Sequence, residues 1–293
     1  MWNILERNDI LSETLYVVNQ DGEILEGYDV VSPKQKRSKA IYKSFGNIHK
    51  DVFTLIFFNG DKCFPDLDAQ TATRLIYLSV YIGYETDYLF MADGSKMDRQ
   101  KLKTMMLLKE TEFKGFLRKV ISKGYLIKDD EGYYKLNKEV FFKGAIPDDI
   151  KKKNKAFDIK NIKIYKDVLI RLYFSCDPRK HRQLGYIFQI IPYINLTWNV
   201  VCNNPNEKNR ELIEKISANG FAEIIGQDGT HGTRLLKSIA SVKFKWKGKT
   251  MSFVNATING DTIFVNPLIM YKGSHSDRIE CFDLFFNSCK YDE

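Results

Sequence analysis

The sequence has no long apolar run and no segment suited to export. No stretch approaches eighteen consecutive uncharged apolar residues, so the sequence predicts no transmembrane helix. The first residues mix charged side chains into their apolar positions, which is not the pattern of a secretion signal. We therefore expect a cytoplasmic protein that does not associate with a membrane.

Cysteine and histidine are scarce, which argues against most metal and catalytic sites. The five cysteines contain no Cys-x-x-Cys pair and the four histidines are scattered, a pattern of reduced thiols without structural zinc or a catalytic triad. Walker, dinucleotide-binding, His-Glu-x-x-His and Gly-x-Ser-x-Gly motifs are absent. The acidic residues 129–131 suit a tight turn better than a cation site. We expect no enzyme activity, cofactor, metal or catalytic residue.

Basic residues exceed acidic ones, and they are clustered. The 293 residues carry a formal net charge of +8. Residues 32–43 hold five basic side chains and no acid, and residues 143–166 hold eight lysines against three aspartates. Clusters of this kind indicate a polyanion partner, although solvated surface lysines would give the same composition.

Two parts of the chain resemble each other. Residues 48–59 align without gaps with residues 164–175, and five of the twelve positions are identical. Residues 137–144 (Asn-Lys-Glu-Val-Phe-Phe-Lys-Gly) likewise align with residues 266–273 (Asn-Pro-Leu-Ile-Met-Tyr-Lys-Gly). A period this long excludes a solenoid and predicts two related globular domains in tandem.

The repeat divides the chain into five segments. We expect a β-rich N-terminal extension with a basic arm, a first domain, a lysine-rich linker, a second domain and a C-terminal tail. These correspond to residues 1–47, 48–144, 145–163, 164–273 and 274–293. The two domains are called the first and second repeat below.

The element pattern of each repeat predicts an α+β fold containing a winged helix-turn-helix. In the first repeat, an Asp68-capped helix, a short strand near residue 88, a helix near 97–107, a Thr111-capped helix and a hairpin follow one another. In the second repeat, helices are predicted at 182–194, 206–220 and 229–242, and a hairpin turns at Asn259-Gly260. The sequence thus predicts two winged helices in tandem.

The helix beginning at Thr111 has the properties of a recognition helix. Phe113, Leu117, Val120 and Ile121 recur at helical spacing and are predicted to face the core. Arginine can pair with guanine, and hydroxyl groups reach bases or phosphates. The candidate DNA-binding residues of this repeat are Thr111, Lys114, Arg118, Lys119, Ser122, Lys123 and Lys128. A plain amphipathic surface helix is the alternative.

In the second repeat, the helix near residues 233–241 and the strand after it carry the candidates. Lysines alternate with Phe244 and Trp246, so a strand would place cations on one face and aromatics on the other. We interpret this strand as a charged wing along DNA, and the alternative is a solvated strand edge. The candidate DNA-binding residues are His231, Thr233, Arg234, Lys237, Ser241, Lys243, Lys245, Lys247 and Lys249.

Residues 97–144 resemble the winged-helix region of RepL-type plasmid replication proteins of Gram-positive bacteria. The resemblance is carried by residues 117–127 (Leu-Arg-Lys-Val-Ile-Ser-Lys-Gly-Tyr-Leu-Ile), 132–137 (Gly-Tyr-Tyr-Lys-Leu-Asn) and 140–144 (Val-Phe-Phe-Lys-Gly). Residues 264–273 are similar to the same closing motif. The family's usual Ser-x-x-Thr-Val-x-Arg opening of the recognition helix is replaced here by Thr-Glu-Phe-Lys-Gly-Phe at residues 111–116.

The resemblance implies a sequence-specific double-stranded DNA-binding protein that initiates plasmid or phage replication. Its partners would be duplex DNA and the replication or transcription machinery, in a bacterial or phage-infected cell. A phage transcription regulator and a winged-helix module that binds a polymerase or host factor remain alternatives. The residues leave open whether the chain is a monomer or a homodimer.

Overall fold

A computed structural model describes residues 3–7, 14–18, 21–23, 52–257 and 260–273, together with Arg278, Cys281 and Phe285. The chain divides into two compact units, residues 1–48 and 49–293. The mixed α+β class is confirmed, with eight α-helices and small antiparallel sheets across these described residues.

The described residues of the N-terminal unit include an antiparallel strand pair. Strand β1 (Asn3–Arg7) pairs with β2 (Thr14–Val18). Gly22 has a φ of +85°, in the left-handed region that favours glycine. The predicted basic arm at residues 33–43 lies outside the described residues.

A four-stranded antiparallel sheet forms the centre of the larger unit. Its strands are β3 (Phe53–Phe58), β6 (Phe141–Phe142), β7 (Lys160–Tyr165) and β12 (Met270–Tyr271), in the order β12-β7-β3-β6. The sheet therefore takes strands from both ends of the larger unit, and residues 59–159 separate its two central strands in the chain.

The pairing pattern of this sheet is the same in both directions from its centre. In the central pair β3–β7, Leu55 lies opposite Lys163. On one side Ile56 pairs with Phe141 of β6, and on the other Ile164 pairs with Met270 of β12. The two halves of the sheet are thus related by an approximate two-fold symmetry of their hydrogen bonding.

The elements that the two sides share follow in the same order. The first repeat continues with α1 (Ala69–Ser79), α2 (Arg99–Met106), α3 (Glu110–Ser122), β4 (Leu126–Lys128) and β5 (Tyr134–Leu136). Helices α4 (Asp148–Ala156) and α5 (Lys166–Ser175) flank β7. The second repeat has α6 (His181–Gln189), α7 (Ala218–Ile224), α8 (Gly232–Ala240), β8 (Lys243–Trp246), β9 (Lys249–Ser252), β10 (Val254–Ala256) and β11 (Ile263–Val265).

Corresponding hydrogen bonds join these elements in the two repeats. In each repeat, a short bridging segment after the first helix pairs with the last strand of the hairpin. Leu89 N donates to Tyr134 O in the first repeat (3.1 Å), and Val201 N donates to Ile263 O in the second (3.0 Å). Strand β4 pairs with β5, and β10 pairs with β11. The hydrogen bonds therefore show that β10–β11, rather than β8–β9, corresponds to β4–β5.

The closing motif identified in the sequence forms the same turn twice. The side-chain oxygens of Asn137 and Asn266 accept hydrogen bonds from the N–H two residues later, at 3.0 and 2.9 Å. Their side-chain amides donate to the carbonyl oxygens of Gly124 (3.1 Å) and Ser252 (2.8 Å). A short strand of the central sheet follows each turn, so this part of the sequence repeat is also a structural repeat.

A lysine at the end of each closing motif is partly buried in the same way. Lys143 Nζ donates to Ile82 O (3.4 Å), and Lys272 Nζ donates to Ile194 O (3.1 Å). Burial lowers the pKa of both lysines, to about 8 for Lys272. Each lysine therefore donates a hydrogen bond to a backbone carbonyl a few residues beyond the first helix of its own repeat.

The first helices of the two repeats, α1 and α6, pack against each other. A Cβ placed on Gly185 would lie 1.8 Å from Ala69 O, so only glycine permits this approach. Thr73 Oγ1 of α1 also donates a hydrogen bond to His181 O of α6 (2.7 Å). The two repeats are therefore joined through a helix pair as well as through the sheet.

The sequence alignment of residues 48–59 with residues 164–175 does not correspond to a repeat in the structure. Residues 53–58 form strand β3, whereas the aligned residues 169–174 lie in helix α5. Helix α5 buries Val168, Leu169, Leu172 and Tyr173 at helical spacing. The strand that corresponds to β3 is β7, which lies mostly in the segment expected to be a linker.

Two predicted helices of the second repeat differ from the structure. Residues 206–220 were expected to form one helix, but they contain a 3-10 turn (Arg210–Leu212) and only the start of α7, which is capped by Ser217. The predicted helix 182–194 ends at Gln189, because Pro192 lies in a separate 3-10 turn (Ile191–Tyr193). Phe285, in the segment expected to be a C-terminal tail, is buried.

Candidate nucleic-acid interface

Helix α3 presents a polar face opposite its buried stripe. Phe113, Phe116, Leu117 and Val120 are buried. Ile121, which was predicted to face the core, is exposed because the stripe passes through Phe116 instead. The polar residues predicted to face outward are all exposed: Thr111, Lys114, Arg118 and Ser122.

The start of α3 is held by an ionic cluster on Glu110. The helix begins one residue before the predicted Thr111 cap, and Lys109 at the N-cap makes no side-chain capping bond. Hydrogen bonds from Lys103 and Arg99 hold the pKa of Glu110 at about 2. The Arg99 contact is 2.6 Å, and Lys114 lies 3.7 Å from the same carboxylate. Lys114 is therefore partly neutralised within its own helix.

Two further lysines of α3 face the loop before α1. Lys119 forms an ion pair with Asp68, and Lys123 lies 3.9 Å from Asp66. Burial raises the pKa of Asp68, but hydrogen bonds from Lys119 and Thr71 outweigh it and hold the pKa at about 2. The charges of these lysines are thus already engaged in part, whereas Arg118 forms no ion pair with any described residue.

The β4–β5 hairpin has an acidic tip. Asp129 accepts hydrogen bonds from Tyr133 N (2.8 Å) and Tyr88 Oη (3.0 Å), so it organises the turn as predicted. Lys128 is exposed at the base of the tip, followed by Asp130 and Glu131. Because carboxylates repel phosphates, only the base of this hairpin suits a phosphate contact.

Helix α8 carries a more uniformly basic outer face. It has no acidic residue in its first turn, and it buries Leu236 and Ile239. The candidate residues Thr233, Arg234 and Lys237 are all exposed. Helix α7 supports it closely, since a Cβ on Gly232 would lie 2.1 Å from Ala218 O.

The two residues that flank α8 do not both suit a phosphate. His231 is exposed at the end of a 3-10 turn, and Asp228 caps this turn by accepting a hydrogen bond from Thr230 N (2.9 Å). A phosphate near these amides would therefore meet a carboxylate. Ser241 is exposed just after α8, with its hydroxyl donating to Ser238 O (2.7 Å).

The predicted alternation of lysines and aromatics after α8 is confirmed. Lys243 and Lys245 are exposed, whereas Phe244 and Trp246 are buried. The β8–β9 hairpin turns at Lys247 and Gly248, which have φ values of +46° and +78°. The exposed Lys249 starts its second strand.

The position of this hairpin differs from the prediction. The hydrogen bonds assign β10–β11 as the counterpart of β4–β5, so β8–β9 is an additional hairpin inserted directly after α8. It packs against α5. The sequence predicted the exposed face of the lysines. It did not predict that α5 and its Arg171 lie next to them, because this contact joins residues far apart in the chain.

Comparisons with protein-family models, with curated proteins and with solved structures find no match to this chain. In the described part of the chain, no helix is both long and apolar enough to span a membrane. The same residues contain no group of three or more side chains arranged to hold a metal ion.

Proposed function

We propose that the protein binds double-stranded DNA sequence-specifically through two winged helices. The observation that carries the proposal is that an exposed helix with basic and hydroxyl side chains occupies the same place in the element order of both repeats. These helices are α3, with Arg118, and α8, with Arg234 and Lys237.

The order and pairing of the elements support the winged-helix interpretation. Each repeat has a helix, a short bridging segment, two further helices and a hairpin, and the bridging segment pairs with the last strand of the hairpin. In helix-turn-helix proteins, the second helix of the motif lies in the major groove and the first crosses the backbone. Helices α3 and α8 have the position of that second helix.

The way in which the two repeats are joined supports binding to two DNA half-sites. The central sheet joins the repeats through the antiparallel β3–β7 pair with equivalent strand registers on either side, as subunits are joined in a two-fold dimer. Helix-turn-helix dimers contact half-sites about 34 Å apart, one helical turn of DNA. One chain of this protein would then contact two related half-sites.

The two repeats would contribute unequally. The second repeat combines α8 with the basic β8–β9 hairpin, so it is better suited to phosphate contacts, which supply much of the affinity. In the first repeat, acids neutralise three lysines and the hairpin tip is acidic. The first repeat would therefore contribute base contacts through Arg118, Thr111 and Ser122 more than charge.

The role in replication initiation rests on the resemblance of the closing motif to RepL-type proteins. That motif forms the same asparagine turn in both repeats. A phage transcription regulator would use the same surfaces, and the two roles differ only in whether the bound site lies at an origin or at a promoter.

The experiment is selection of binding sites from a library of random DNA duplexes a few helical turns long, at near-physiological salt. We expect enrichment of two related half-sites at a fixed spacing. The position of that motif beside origins or promoters then distinguishes replication from transcription. Failure to enrich any sequence, combined with capture of a polymerase or host factor that survives high salt, would instead support a protein-interaction module.

A further inference from the structure

A groove of about 750 Å³ lies between helix α5 and the β8–β9 hairpin. Arg171 and Phe174 line it from α5, and Lys243, Lys245 and Trp246 line it from β8. None of the described residues that line the groove belongs to α8.

The charge of the groove suits a polyanion. Three of its side chains, Arg171, Lys243 and Lys245, are cationic, and Asp167 is the only acidic residue among those that line it. None of the three cations forms an ion pair with another described residue. Their charge is therefore available to phosphates.

Aromatic side chains lie among these cations. Phe174 is 49% exposed, although its ring packs edge-on against Tyr77 with a centroid distance of 5.6 Å. An exposed phenyl ring held against other rings loses little conformational entropy when it stacks on a flat ligand. It thus provides a preformed surface for a planar, uncharged group.

Trp246 adds a hydrogen-bond donor without a partner. The side chain is 8% exposed, and its Nε1–H is buried with no acceptor among the described residues. The guanidinium carbon of Arg171 lies 5.4 Å from the centre of its ring. A buried donor without an acceptor is unfavourable, so a ligand oxygen or ring nitrogen that reaches Nε1 would be stabilised.

We propose that this groove binds single-stranded nucleic acid, with a base stacked on Phe174 and phosphates bound by Arg171, Lys243 and Lys245. Cationic side chains interleaved with aromatics are the usual chemistry of single-strand binding. Duplex DNA does not fit this chemistry, because its bases present no free face for stacking. The groove shares Lys243 and Lys245 with the double-strand proposal, whereas Arg171 and Phe174 lie outside the elements assigned to duplex contacts. Substitutions of Arg171 and Phe174 therefore distinguish the two proposals.

The test measures binding of a fluorescent oligothymidine of about 12 nucleotides by fluorescence anisotropy. Phe174→Ala should weaken binding by roughly 5- to 100-fold, the effect of losing one stacked aromatic. Phe157→Ala is the matched control, because Phe157 is also exposed but does not line the groove. Affinity for the duplex selected above should not change in either variant, and circular dichroism confirms folding.

A second measurement follows tryptophan fluorescence as oligothymidine is added. The oligonucleotide should quench the fluorescence of the unmodified protein. The Trp246→Phe variant should lose most of this quenching, whereas the Trp198→Phe variant should retain it. The proposal is overturned if the oligonucleotide does not bind, if Phe174→Ala binds as tightly as Phe157→Ala, or if quenching persists without Trp246.

Discussion

At the scale of single residues, the candidate cations differ in how much of their charge is free. Lys114, Lys119 and Lys123 each have an acidic neighbour, whereas Arg118 on the same helix has none among the described residues. A planar guanidinium without an internal partner is well suited to a bidentate contact with guanine. Arg118 is therefore the most informative side chain of the first repeat.

Arg118→Ala should weaken binding to the selected site by about 1–3 kcal/mol and relax specificity at one base position. Binding is measured with a set of duplexes that carry each single-base substitution. Lys152→Ala is the control, because Lys152 is exposed on α4, away from both candidate helices. An equal loss of affinity for every duplex would show that Arg118 contacts phosphate and not a base.

His181 gives the protein a stability that depends on pH. Its side chain is buried against the ring of Tyr173, with centroids 4.2 Å apart. Burial of the imidazole lowers its pKa to about 4, and the nearby Arg74 contributes to the lowering. The unfolded chain therefore binds a proton at a higher pH than the folded chain does.

The free energy of unfolding should fall as the pH falls from about 6.5 towards 4, because only the unfolded state gains the proton in this range. Between about pH 7 and 5 the expected loss from this histidine is about 1.8 kcal/mol. It is measured by urea denaturation as the difference between the unchanged protein and His181→Gln, because carboxylates begin to titrate near pH 5. His181→Gln should remove this dependence, and His231→Gln, at an exposed site, should retain it. The same slope in His181→Gln would contradict the assignment.

At the scale of elements, the contact between α1 and α6 fixes how the two repeats join. Its closest point is Gly185 against Ala69, where helix backbones meet without an intervening side chain. The antiparallel β3–β7 pair makes the second connection. Disruption of the helix contact should therefore affect the larger unit as a whole.

Gly185→Ala should lower the free energy of unfolding by about 1–3 kcal/mol or more, because its Cβ would lie 1.8 Å from Ala69 O. Gly115→Ala is the matched control within another helix, where a Cβ would meet nothing within 4 Å. That change should raise stability by about 0.5–1 kcal/mol, since alanine is the better helix former. Equal effects of the two substitutions in urea denaturation would contradict the close packing.

At the scale of the whole molecule, the positive charge is unevenly placed. The second repeat concentrates exposed lysines on β8–β9, whereas the first repeat pairs several of its lysines with acids. Phosphate binding releases counterions, so the salt dependence of duplex affinity reports how many cations take part.

Replacement of Lys243 and Lys245 by glutamine should reduce the slope of log K against log salt by about 1.8, if both side chains contact phosphates of the duplex. Binding is measured with the selected duplex over a series of salt concentrations. The double substitution of Lys152 and Lys155 on α4, both exposed, is the control and should leave the slope unchanged. An unchanged slope in the first variant would limit the role of the two lysines to the groove beside α5.

Patterns confined to one element predicted the α+β class and several local features. The buried stripes of α3 and α8, the Asp68 cap, the alternating strand β8 and the asparagine turns follow from local spacing and side-chain chemistry. The exposure of the candidate residues on α3 and α8 was predicted for the same reason. The predicted helix at residues 206–220 was wrong, because Asn209 and Ser217 cap two separate short elements within this segment.

The sequence by itself determined which faces of the elements are buried, because helical and strand periods translate directly into faces. Only the tertiary structure decided that β7 is the partner of β3, that β8–β9 is an additional hairpin, and that Lys119 and Lys123 face acids. The physical reason is that these features depend on pairings between residues far apart in the chain. Such pairings are selected by the total burial and hydrogen bonding of the folded molecule, and not by any short segment.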